Sequence, residues 1–131
     1  MARVLVVDDE PHIVRLVSFT LERKGYEVVS ATDGEAGVAA AGEYQPDLIL
    51  MDVMMPVITG LEAVERLKAD ERTSRIPVVM LSAKSQTYEQ EAGLQAGALK
   101  YVCKPFTPSE LAAVVDEVLG ADEEGVGHDD G

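Results

Sequence analysis

The chain has no tryptophan, a single cysteine and an aromatic share of only 5%. A lone Cys103 excludes a disulfide framework and a zinc quartet, and reads as a small strand residue rather than a reactive thiol. Basic residues are scarce, 11 against 24 acids, and the net charge is −13. That balance repels nucleic acid and anionic lipid, and no Lys/Arg cluster stands out that could form a basic face. Neither direct nucleic-acid contact nor membrane binding is expected. No apolar run approaches a membrane span, and Val4 to Val7 leads straight into acids, unlike a signal peptide. His12 and His128 lack companion ligands. One cytoplasmic domain is the expectation, and 131 residues are enough for a proper core.

What is present is organised around Leu48-Ile49-Leu50-Met51-Asp52-Val53-Met54-Met55-Pro56. An apolar run of this kind reads as a strand buried on both faces, as in a parallel sheet covered by helices. Asp52 then sits at the carboxyl end of the strand, where open α/β sheets place their chemistry. Val4–Val7, Val28–Ala31, Val78–Leu81 and Tyr101–Cys103 read as four further strands. Between them the spacing predicts a helix from Pro11 stopped by Gly25 and an Ala-rich one from about Gly34 to Ala41, broken at Gly42. A third opens at Gly60, and a thinly apolar one over 87–96 carries Tyr88, Ala92 and Ala96. Thr107 caps the last, with Pro108 at its first position and an apolar stripe from Leu111 to Leu119. Residues 1–120 form the domain. Residues 121–131 hold five acids and one Val, too little apolar surface to fold.

Five strands alternating with five helices argue for an α/β fold, a doubly wound parallel sheet. In the flavodoxin-like order 2-1-3-4-5, strands one and three are neighbours at the point where the winding reverses. Asp8, Asp9 and Asp52 then end adjacent strands, with Ser82 and Lys104 at the ends of the next two. Three carboxylates in one pocket resist joint ionisation unless positive charge fills it. A hard divalent cation, Mg²⁺ or Mn²⁺, and the Lys104 ammonium are the two candidates. Asp9, Asp52 and a backbone carbonyl just after Asp52 can offer oxygens to such a cation, and Asp8 can act through water. The bland alternative is an acidic rim capping helix N-termini.

The motifs Val6-Val7-Asp8-Asp9-Glu10, Leu50-Met51-Asp52 with Met55-Pro56 and Gly60, Leu81-Ser82-Ala83, and Tyr101-Val102-Cys103-Lys104-Pro105-Phe106 resemble the receiver domain of bacterial two-component response regulators. A chemotaxis receiver is a type example of the 2-1-3-4-5 order, so that order is partly an implication of the resemblance. The resemblance implies phosphoryl transfer from a sensor histidine kinase or phosphotransfer protein to Asp52. It implies Mg²⁺ on Asp9, Asp52 and the Met54 carbonyl, Lys104 on one phosphate oxygen and Ser82 donating to another. It further implies a cis Lys104–Pro105 bond and a Tyr101 that turns inward. The surface of the fourth helix, fifth strand and fifth helix then changes to control a downstream protein. Such a domain is a switch and not an enzyme, though it assists its own phosphotransfer and autodephosphorylation. Homodimerisation on phosphorylation is a further implication.

Several positions depart from the common pattern. Val57 stands in a turn where a positive φ is difficult for valine. Leu99-Lys100 replace frequent acids, which makes Leu99 an exposed apolar contact. Met54 and Lys84, each two residues past a functional one, occupy positions that the resemblance implies tune phosphate lifetime. Two rival functions fit less well. A flavin or dinucleotide carrier needs a Gly- or Ser/Thr-rich loop where Asp8-Asp9-Glu10-Pro11 stand. A phosphate hydrolase with an aspartyl nucleophile usually carries a second acid two residues on, where Met54 stands.

Overall fold

The computed structural model describes residues 2–120; the acidic tail expected over 121–131 lies outside them. Five strands, β1 (Arg3–Val7), β2 (Glu27–Ala31), β3 (Leu48–Asp52), β4 (Val78–Ala83) and β5 (Lys100–Lys104), alternate with five α-helices. These are α1 (Pro11–Arg23), α2 (Gly34–Tyr44), α3 (Gly60–Ala69), α4 (Thr87–Ala96) and α5 (Pro108–Val115). The sheet is wholly parallel in the order 2-1-3-4-5.

Successive strand residues face opposite sides of a sheet, and the core divides accordingly. Leu5, Val7, Ile49, Met51, Val78 and Met80 pack with Ala40, Ala41, Val64 and Leu67 of α2 and α3. Val4, Val6, Leu48, Leu50, Val79 and Leu81 pack with Val17, Leu21, Leu111 and Val115 of α1 and α5. β3 lies in the middle, and all five of its residues are buried. Its terminal Asp52 is therefore fixed by the most enclosed strand in the sheet.

The helices start where their chemistry allows. Thr59 caps α3 by accepting from Glu62 N, and Thr107 forms a reciprocal capping box with Glu110 at α5. Past α1, Gly25 takes φ +97°, which the absence of a Cβ permits.

Five boundaries or faces differ from the sequence expectation. Gly42 does not break α2: the helix runs to Tyr44 and ends with Gln45 in the left-handed region. One glycine costs a helix only about 1 kcal/mol, and burial of Ala40 and Ala41 outweighs that. Ser82 lies within β4 rather than ending it, since pairing with Cys103 and of Ala83 with Lys104 extends the ladder. On α4, Tyr88 points outward, and Gln90 and Gly93 are the buried residues. The last helix stays α-helical only to Val115, and Asp116–Gly120 widen into a π-helical turn. The widening begins at Asp116, which Lys24 and the Tyr26 hydroxyl hold at 2.8 and 2.6 Å. Finally, Val57 does adopt a positive φ, +77°.

Val57 is 68% exposed, so little packing opposes its replacement. A β-branched residue at this φ costs on the order of 1–3 kcal/mol, whereas glycine adds about 0.5–1 kcal/mol of unfolded-state entropy. Val57→Gly is accordingly expected to stabilise the protein by about 1 kcal/mol in urea unfolding. Val57→Ala, still strained, should give a clearly smaller gain.

Candidate functional site

The winding reverses between β1 and β3, and the site lies at their carboxyl ends. Register pairs Val7 with Met51, so Asp8 and Asp52 are the next residues along adjacent strands. Asp8 N donates to Ala31 O at 3.1 Å, and its Oδ1 accepts from Glu10 N at 2.9 Å. These bonds turn the chain into α1 and fix the Asp8 carboxylate, which is fully buried. Asp9 is exposed beside it. Asp8, Asp9 and Asp52 each offer an oxygen within 4.8 Å of the others.

Beyond Asp52, Val53 N donates to Leu81 O at 3.0 Å and Gly60 N donates to Val53 O at 2.7 Å. A Cβ on Gly60 would overlap the Asp52 carbonyl oxygen, so glycine lets the α3 N-terminus close against the site.

Lys104 reaches in from β5. Its Nζ lies 2.8 Å from Asp8 Oδ2, 3.0 Å from Glu10 Oε1 and 3.2 Å from Asp52 Oδ1. The Lys104–Pro105 bond is cis. Burial alone would lower the Lys104 ammonium, but hydrogen bonds to Asp8 and Glu10 and the nearby charges outweigh it and hold it above its ordinary value. Glu10 is held low by the same hydrogen bond. Asp52 goes the other way, pushed up to about 6 by burial first and the Asp8 charge second, against the pull of Lys104. The ammonium is committed chiefly to Asp8 and Glu10, so Asp52 is left undercompensated.

A cleft of about 350 Å³ opens onto Asp9, Glu10, Asp52 and Lys104, with Met54, Ala83 and Gln86 on its other wall. A larger hollow, about 810 Å³, lies at the opposite, amino-terminal ends of β3 and β4. It mixes Asp47 and Glu71 with Arg72 and Arg75, and no buried carboxylates converge there. The smaller cleft is the chemical one. Its hard carboxylate oxygens, with unrelieved negative charge, suit a divalent cation of the Mg²⁺ type.

Of the residues singled out in the sequence, Asp8, Asp9, Asp52 and Lys104 converge, and Met54 lines the same cleft. Ser82 is fully buried behind it, where its Oγ accepts from Gln90 Nε2 at 2.9 Å. Tyr101 stands on the edge strand, 40% exposed, and Leu99 is 55% exposed. Sequence reasoning missed Glu10, Gln86 and Gln90 as members of this region. Glu10 was visible in the acidic run, but nothing in its spacing marked it as a Lys104 partner. Gln86 is the residue that precedes α4 and Gln90 lies inside it, and polar residues on a thinly apolar segment carried no periodic signal.

The sign of the Asp52 shift has a consequence for stability. A carboxyl raised from 3.8 to about 6 favours the fold below 3.8, and that contribution is lost as pH rises through 6. In metal-free protein at pH 7.5, Asp52→Asn is expected to be more stable than wild type, by about 1 kcal/mol after solvent screening. The gap should close as pH falls toward 4, as followed by thermal melts in chelator.

A parallel doubly wound sheet with carboxylates and one lysine at its switch point is the framework of a cation-assisted phosphoryl site. The response regulator receiver domain family matches residues 4–116, and the chain belongs to that family, the phosphorylation-dependent switches of two-component signalling. It is 45% identical over 119 residues to the DNA-binding dual master transcriptional regulator RpaA of Synechocystis, covering 91% of this chain and 49% of that protein. It is 41% identical to the alkaline phosphatase synthesis transcriptional regulatory protein PhoP of Bacillus subtilis, covering 92% of this chain and 50% of that protein. The chain thus spans about half the length of these curated relatives. The chemotaxis response regulator CheY4 of Vibrio cholerae superposes with TM-score 0.86 at 38% identity, covering 91% of this chain and 99% of that one. The receiver domain of a Pseudomonas aeruginosa sensor histidine kinase, solved with magnesium coordinated in its active-site cleft, gives 0.83 at 33% identity, covering 91% and 98%. No helix among the described residues is long and apolar enough to cross a membrane.

Proposed function

We propose that Asp52 accepts a phosphoryl group from a phosphohistidine of a sensor histidine kinase or phosphotransfer protein. An Asp52 oxygen bonds to phosphorus as the P–N bond breaks, and the imidazole leaves with the electron pair. The observation that carries this reading is the undercompensated Asp52 carboxylate, in a cleft with one shared ammonium and two further acids. Asp9, Asp52 and the Met54 carbonyl would hold Mg²⁺ or Mn²⁺, with Asp8 acting through water. When bound, such a cation would supply positive charge to offset that of the transferred phosphoryl group.

The chain's own residues do the rest. Lys104 turns its ammonium from Asp52 to a phosphoryl oxygen, while Asp8 keeps hold of the same Nζ. Ser82 donates its hydroxyl to a second oxygen. Hydrolysis follows when water attacks phosphorus and Asp52 leaves, with Met54 and Lys84 flanking the path and tuning the lifetime. As Ser82 moves, Tyr101 turns inward, and the surface formed by α4, β5 and α5 changes. Exposed Leu94, Leu99 and Tyr101 suit that surface to a downstream protein or a second copy of this chain. Residues 1–120 form the switch, in the cytoplasm, and with a net charge of −8, the chain's −13 less the −5 of residues 121–131, they make no direct contact with nucleic acid.

The test is intact mass after incubation with acetyl phosphate. With Mg²⁺ the protein should gain one phosphoryl group. In chelator it should gain none, and uptake without a divalent cation would count against the reading.

A further inference from the structure

We infer that Gln90 is a positioning residue for the reaction at Asp52: it holds the Ser82 hydroxyl back against α4 and so disfavours the phosphoryl-bound state. The inference rests on the Asp52 reading above.

Gln90 is 5% exposed and, among the described residues, is the one buried polar side chain on α4. A buried amide is costly unless its hydrogen bonds are made. Here Nε2 donates to Ser82 Oγ at 2.9 Å and to Ala83 O at 3.1 Å, with Cys103 Sγ at 3.9 Å. A carbonyl can only accept, so the Ala83 contact fixes which end of the amide faces β4. Ser82 is then the acceptor in its bond to Gln90, and its own proton stays available to be donated elsewhere.

Gln86, one turn earlier, accepts from Ala83 N at 2.7 Å. Gln86, just ahead of α4, and Gln90, within it, therefore hold the Ser82 hydroxyl and both backbone groups of Ala83. Ala83 and Gln86 line the cleft at Asp52, whereas Ser82 is fully buried behind them. For the Ser82 oxygen to approach a phosphoryl group it must leave Gln90. The Gln90–Ser82 bond thus stabilises the resting arrangement alone, while the bond to Ala83 O is common to both states. Release of Ser82 also removes a tether from a helix whose one other buried residue is Gly93, against Met80. Gln90 in this way couples occupancy at Asp52 to the hold on α4.

The experiment is calorimetric titration of the 131-residue chain with beryllofluoride in Mg²⁺, the fluoride serving as a phosphoryl stand-in. Gln90→Leu is expected to bind about five-fold more tightly than wild type, the worth of one ordinary hydrogen bond. In a Ser82→Ala background the same substitution should leave affinity unchanged, which a general loosening of the fold would not produce. Gln90→Met, closer in shape, serves if the leucine variant melts early. Equal or weaker binding by a folded Gln90 variant, or equal tightening without Ser82, would overturn the inference. Absence of beryllofluoride binding by wild type would instead strike the Asp52 reading itself.

Discussion

Lys104→Met is expected to slow phosphoryl uptake from acetyl phosphate by about 100-fold or more, and in chelator to destabilise the fold by about 3 kcal/mol. The rate effect follows because Lys104 is the one cation within bonding distance of Asp52 among the described residues. A preorganised donor aimed at developing phosphoryl charge is typically worth that factor. The stability effect follows from Asp8, which is fully buried and whose ammonium partner at 2.8 Å would vanish. An unpaired buried carboxylate is among the costlier defects a fold can carry, although uptake of a proton limits the loss. The two effects separate with metal. On the proposed mechanism Mg²⁺ would supply the missing positive charge and should recover most of the stability, but would not replace the proposed contact of the lysine with the transferred group. Urea unfolding with and without Mg²⁺, beside mass-detected uptake, reads both. A variant within ten-fold of wild-type uptake would remove Lys104 from the chemistry.

Gly60→Ala is expected to be the most damaging glycine substitution, costing on the order of 3 kcal/mol and much of the phosphoryl uptake. The added Cβ would meet the Asp52 carbonyl oxygen, with Val53 Cα at 2.9 Å and the Asp52 carbonyl carbon at 3.0 Å. These are backbone atoms of the central strand and its exit, so neither can swing aside as a side-chain tip can. Relief requires α3 to back away from β3, which breaks the 2.7 Å bond from Gly60 N to Val53 O and shifts Asp52. Gly42→Ala is the control. It lies inside a helix and its nearest neighbour is the end of the Arg72 side chain, at 3.4 Å, an ordinary contact distance, so it should gain about 0.5–1 kcal/mol. Denaturant midpoints of the two variants should move in opposite directions.

How much of this was legible before the structure depends on the kind of signal. The strands were readable because β1, β3 and β4 are buried on both faces and appear as unbroken aliphatic runs. Asp52 was readable because it is a lone charge that directly ends one such run, with apolar residues on both sides of it. Its adjacency to Asp8 was not local information: it depended on placing β1 beside β3, which came from the doubly wound topology and the family resemblance together. Polar burial was the main blind spot. A search for apolar periodicity chose Tyr88 for the inner face of α4, whereas Gln90 and Gly93 occupy it, held by hydrogen bonds and by close approach to Met80. Val57 was marked as a difficult residue for its turn, and it takes the strained φ because the loop from Asp52 to Gly60 must turn back onto β3. Gly42 misled for the opposite reason, since tertiary burial overrode a local breaker.

The central claim is that the acceptor atom is a carboxylate oxygen of Asp52. Borohydride reduction tests it most directly, because an aspartyl phosphate is reduced to homoserine whereas a free carboxylate is not. Protein incubated with acetyl phosphate and Mg²⁺, reduced, digested and sequenced by tandem mass spectrometry should show homoserine at Asp52 and aspartate at Asp8 and Asp9. Homoserine at either of those positions, or a phosphoryl group retained on a serine or threonine, would contradict the account.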